Sequence, residues 1–136
     1  MKTIDIDAVG KVMVEDRGEH HMGASTIVVS LPFELDGQRE FFTTNGKAVY
    51  ADATRSLFIH DACMVLHIRL DDFSVTNWMP EQGLLIESIT PRDDGLLVKI
   101  YEARSPRNGR DLCVGLQEFL AGYGKVRNAR FPSAYP

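Results

Sequence analysis

The sequence predicts an α+β fold: a mainly antiparallel β meander, curled or partly closed into an open barrel, with one C-terminal α-helix packed on it. Three observations carry this expectation. Short runs rich in Val, Ile, Phe and Thr are separated by turn dipeptides, among them Asp36-Gly37 and Asn45-Gly46. Residues 61–70 alternate, with Ala62, Met64, Leu66, Ile68 and Leu70 on one face and Asp61, Cys63, Val65, His67 and Arg69 on the other. In "NGRDLCVGLQEFLAGYG", residues 108–124, Leu112, Leu116, Phe119, Leu120 and Tyr123 recur at spacings of three and four, an apolar helical stripe.

In chain order, strands fall near 3–7, 11–15, 26–31, 33–35, 39–44, 47–51, 56–60, 63–70, 84–89 and 96–102. Val9-Gly10 lies between the first two as a tight hairpin would. Asp-Gly and Asn-Gly tolerate the positive φ of a type I′ turn, so Asp36-Gly37 and Asn45-Gly46 are each expected to close a hairpin. "TPRDD" joins the last pair, "GLLIESI" and "GLLVKIYEA". Flexible loops are expected at "EDRGEHHMGAS", "ARSPRNGR" and the tail "FPSAYP". The helix has Asn108 as N-cap and Gly124 as C-cap. Gly115 and Gly122 each lower its propensity by about 1 kcal/mol relative to Ala, so packing on the sheet is expected to hold it.

With 136 residues the chain fits one domain, 1–136, whose core requires neither a metal nor a disulfide. The net charge of −4 is uneven: residues 1–90 carry 7 basic and 14 acidic side chains, residues 91–136 carry 8 and 5. An acidic body argues against nucleic acid as a partner, because coating the phosphate backbone wants a basic domain. The cationic C-terminal third allows a local anion site or a charge-matched protein partner. Cys63 and Cys113 show no zinc-ligand spacing and read as packing residues. "MKTIDIDAVGKV" lacks the apolar core of a signal peptide, and no apolar run approaches the roughly 20 residues that cross a bilayer. The expectation is a cytoplasmic protein with reduced thiols, no membrane contact, no cofactor and no resident metal.

The stretch "FIHDACMVLHIRLDD", residues 58–72, concentrates the candidate chemistry. As a strand it separates Cys63 and His67 by about 13 Å. Zinc bonds of about 2.0–2.3 Å cannot span that gap. The His67 face is therefore expected to be a solvent-wetted strand face. His20 and His21 share a loop, and no ligand spacing ties them to His60 or His67. No GxSxG, HExxH, phosphate-binding loop or GxGxxG occurs. Residues 71–78, "DDFSVTNW", resemble the Asp-x-Ser element of PilZ cyclic-dinucleotide receptors over that fragment alone. The glycine of that pattern is Asn77 here and no RxxxR arm precedes it, so no family follows.

Three functional readings result. The first is a small interaction or regulatory module of inhibitor, immunity or adaptor type. It docks a protein partner or a second copy, as a homodimer, through Phe41, Phe42, Tyr50 or Trp78. The second is a binder of a small anionic ligand, held by Arg104, Arg107 and Arg110. These recur every third residue at the start of the expected helix, where free N–H groups and about half a positive charge gather. The third is an enzyme using His67 or His60 as base. The lack of a catalytic motif places the interaction module first.

Overall fold

The computed structural model describes residues 1–19, 24–35 and 37–115. They form strands β1 (Lys2–Ile6), β2 (Gly10–Glu19), β3 (Ser25–Leu35), β4 (Gln38–Thr44), β5 (Ala48–Ala51), β6 (Ser56–His60), β7 (Val65–Arg69), β8 (Val75–Trp78), β9 (Leu84–Arg92), β10 (Gly95–Glu102) and β11 (Ser105–Gly115). Three antiparallel meanders follow one another: β1-β2-β3-β4, then β5-β6-β7-β8, then β9-β10-β11. Every hydrogen-bonded pair joins neighbours in sequence, as short connections favour.

Side-chain parity stacks the sheets in three layers. Leu57 and Ile59 of β6, with Leu66 and Ile68 of β7, face the first sheet and meet Ile6, Val12, Val29, Leu31 and Phe41. The opposite face of the same strands presents Phe58 and Val65. With Trp78 of β8 they meet Ile86, Ile89, Leu96, Val98 and Ile100 of the third sheet. The middle sheet is thus covered on both sides, and all five residues of β6 are buried. Burying each of the Leu and Ile side chains contributes roughly 1.5–3 kcal/mol.

The α+β expectation fails on these findings: the described chain is all-β. Its one helical segment is a single 3-10 turn, Asp52–Thr54. Residues 108–115, the first half of the expected helix, belong to β11 in register with β10, Leu112 opposite Val98 and Val114 opposite Leu96. Val114 is buried, Cys113 beside it is exposed, and Leu112 is again partly covered, a period of two rather than 3.6. Pairing with β10 satisfies the backbone of a segment whose Gly109 and Gly115 weaken a helix. Residues 116–124 lie outside the described residues, as do His20, His21 and the tail. The strands also divide into three stacked sheets instead of curling into one sheet or partly open barrel.

The turns follow their expected chemistry in part. The β3–β4 hairpin closes with Leu35 opposite Gln38 and Gly37 at φ 79°, while Asp36 lies outside the described residues. Asp93-Asp94 closes β9–β10, with Arg92 opposite Gly95. The first hairpin turns through Asp7–Val9, with Ala8 at φ 64°, and Gly10 already belongs to β2. Asn45-Gly46 closes no hairpin: β4 and β5 lie in different sheets. Asn45, at φ 56°, is tied back to Ser25 by both its amide (2.8 Å) and its Oδ1 (2.7 Å). Gly46 then passes so close to the His60 carbonyl that a Cβ would stand 1.7 Å from that oxygen. β8 and β11 fall where the sequence predicts loop and helix. The two short strands 26–31 and 33–35 run together as β3.

Candidate functional site

The two histidines of the middle sheet lie on its third-sheet side, and neither is wet: His60 is 1% exposed and His67 0%. His67 sits opposite Phe58 and stacks on it, ring centroids 4.9 Å apart. The hydrogen bonds assign its tautomer. Ser56 Oγ donates to Thr54 O at 3.1 Å, so it accepts from His67 Nε2–H at 2.8 Å. Nδ1 is then the acceptor facing the Thr76 hydroxyl at 3.4 Å. Burial, and next the Arg69 charge, hold the His67 pKa down at about 4, against a weaker pull from Asp72.

His60 takes the other tautomer. Its Nδ1 lies 3.0 Å from the Asp61 carbonyl oxygen, which only accepts, so Nδ1 carries the proton. Nε2 is then a bare acceptor, buried and without a hydrogen-bond partner among the described residues. Burial again lowers the pKa, opposed by the Asp61 carbonyl and charge and assisted by Lys47. Asp61 orders the β6–β7 turn, its Oδ1 accepting from the amides of Cys63 (2.7 Å) and Met64 (2.9 Å). Burial raises the Cys63 thiol pKa, and Asp61 adds to the shift. Cys113 is an exposed free thiol on β11 rather than a packing residue.

The Ser56–His67 spacing is that of a nucleophile and its base, yet both residues are 0% exposed. Substrate cannot reach a pair sealed between two sheets, and the hydroxyl proton is directed at a backbone carbonyl. Among the described residues no three His, Cys, Asp or Glu side chains gather where a metal could bind. At the fragment resembling PilZ, the Asp72 carboxylate accepts from the Ser74 amide at 3.0 Å. That bond holds its pKa below the ordinary carboxylate value and forms a local turn.

The three arginines are exposed but not gathered. Arg104 sits in the β10–β11 turn. Arg107 lies with Glu87, Lys99 and Tyr101 on the outer side of the third sheet. Arg110 pairs with inward-facing Ile100 and borders a crevice of about 240 Å³ between the second and third sheets. That crevice is walled by Trp78, Met79, Leu84 and Leu112, with Glu81 beside it. The helix start that was to unite the three arginines is strand instead.

Of the four aromatic candidates, Phe41 (3% exposed) and Trp78 (8%) belong to the two interlayer cores. Tyr50 is partly buried and donates its hydroxyl to Asp52 Oδ1 at 3.0 Å. Its pKa is raised by burial first and by Asp52 second. Phe42 remains on the surface at 36%, under the Arg17 guanidinium at 5.7 Å from the ring centroid. Met13, at 41% exposed, shares the outer face of the first sheet with it. Met13 and Arg17 are not among the sequence candidates, although Met13, between inward Val12 and Val14, carries an outward signal.

Comparison with protein-family models, curated proteins and solved structures returned no match. No helix of the described residues is long and apolar enough to cross a membrane.

Proposed function

We propose that the chain is a small cytoplasmic protein-interaction module that docks a second copy of itself through the outer face of the first sheet. One observation carries this reading. Val28 faces away from the second sheet, between inward Ile27 and Val29, and yet is 1% exposed. Its cross-strand partners are Glu15 and Phe42. Val28, Phe42 and Met13 form an apolar island on an otherwise polar face, with Glu15 at its edge. Large apolar side chains left in solvent over a filled centre are what an interface core looks like before its partner arrives.

A second copy is favoured by the sheet edge and by charge. Phe42 lies on β4, an edge strand of this sheet, and unpaired edges recruit partners. Arg17 and Glu40 flank Phe42 on opposite sides and bring opposite charges to one patch. A two-fold axis can set each against the other's counterpart. The test is sedimentation velocity of the full chain over a wide concentration range, alone and as Phe42→Glu. A reversible dimer that Phe42→Glu abolishes, with unchanged circular dichroism, is the expected result. A monomer at every concentration, or a dimer indifferent to Phe42→Glu, refutes the reading.

A second reading, binding of a small anionic ligand, rests on the crevice beside Arg110. Trp78, Met79, Leu84 and Leu112 wall it, and the Arg110 cation lines it together with the Glu81 carboxylate, which opposes an anion. Its volume of about 240 Å³ lies below the usual range of ligand pockets, which places this reading behind the first. Titrating inorganic phosphate while following the Trp78 indole and Arg110 resonances checks it. Shifts absent from Arg110→Gln support it, and no shift in the parent chain removes it.

A further inference from the structure

We propose that the seam between the second and third sheets is an acid-sensitive latch, closed while His60 and His67 are neutral and opened when they take up protons. The two seams of the molecule differ in kind. The first is built on Ile6, Val12, Val29, Leu57, Ile59 and Leu66, with no histidine among its described residues. The second contains both buried histidines of the described chain. They lie on one face of adjacent antiparallel strands, His67 opposite Phe58 and His60 opposite Val65.

Burial makes a second proton unfavourable on both rings. His60 Nε2 is buried without a partner, so a proton there would create a buried donor and a buried charge together. At His67 a proton on Nδ1 would reverse the hydrogen bond with the Thr76 hydroxyl and leave a buried cation on a ring stacked against Phe58. The nearby charges act in both directions. Lys47 and Arg69 oppose protonation, each acting on the nearer histidine. Asp61 and Asp72 favour it, but Asp61 Oδ1 already accepts two amide hydrogens and Asp72 accepts from Ser74. Cys63 is neutral, its pKa raised. From across the seam the third sheet presents Ile86, Ile89, Leu96, Val98 and Ile100, all apolar. Separating the third sheet is the movement that admits water to both rings while leaving the first seam intact.

The test is amide hydrogen exchange of the full chain near neutrality and at about pH 5, where ordinary carboxylates remain ionised, with intrinsic rates corrected for pH. Amides of β9, β10 and β11 are expected to lose protection on the order of tenfold more than those of β1–β4. In the double variant His60→Asn, His67→Gln, which keeps a neutral donor at each position, that difference is expected to vanish. Uniform loss across the three sheets, no loss, or loss that persists in the double variant overturns the latch. Should the double variant fail to fold, imidazole NMR of the parent chain decides. Both rings must become cationic over the same pH interval in which β9–β11 open. Protonation with protection intact overturns the proposal.

Discussion

Ser56 Oγ and His67 Nε2 stand 2.8 Å apart, and burial rather than distance decides what that contact does. In an exposed cleft it would activate a nucleophile; sealed between two sheets it fixes a tautomer. Removing the hydroxyl in Ser56→Ala strands the Nε2–H donor and is expected to cost about 1–3 kcal/mol, measured by urea unfolding. The pH dependence has a definite sign. His67 binds its proton at 6.5 when unfolded but at about 4 when folded. Below 6.5 the unfolded chain therefore takes up a proton that the folded chain refuses. The stability this residue contributes is fully present above 6.5 and is lost as pH falls from 6.5 towards 4. At about 1.4 kcal/mol per unit the loss is on the order of 3 kcal/mol, readable as a falling urea midpoint. The sequence located both histidines on a strand and separated His67 from Cys63. It did not reveal their burial, because the covering residues, Ile86 to Ile100, lie some way along the chain. Phe58 and Val65 on the supposedly wet face were the available signal, since a strand buried on both faces shows apolar residues at both parities.

At the scale of the element, local chemistry was legible wherever it acted alone. The β3–β4 hairpin at Gly37 and the β9–β10 hairpin at Asp93-Asp94 fall where composition predicts them. Asn45-Gly46 has the same turn preference but serves a change of sheet, which only the positions of β3 and β6 define. Gly46→Ala places a methyl against the His60 carbonyl. It is expected to cost about 3 kcal/mol, the upper end for overpacked sites. Gly37→Ala meets open space and only the strain of φ +79°, so about 1–2 kcal/mol is expected. Thermal or urea unfolding of the two variants checks the ranking, and equal costs would contradict the close approach at Gly46. β11 departs from the predicted helix for a related reason. The helical stripe over 108–124 drew most of its residues from positions beyond 115. Within 105–115 the register with β10 imposes a period of two.

For the whole molecule, three meanders stacked in sequence order make the middle sheet the shared core, and among the described residues no further layer covers the outer faces of the first and third sheets. The meanders were readable from turn spacing; their stacking was not, because a four-stranded meander looks alike in sequence whether it is covered once or twice. That distinction also carries the functional account. A middle sheet buried on both sides makes His60 and His67 interior groups, and the proposed docking surface is the island around Val28, Met13 and Phe42 on the outer face of the first sheet. The most direct test is a long-range ¹⁵N–¹H correlation spectrum of the histidine rings in the full chain, followed as pH is lowered. The account predicts His67 as the neutral Nε2–H tautomer and His60 as the neutral Nδ1–H tautomer, with neither ring charging at the ordinary value of 6.5. Rings that titrate near 6.5 in the folded protein, or that exchange freely between tautomers, would contradict it.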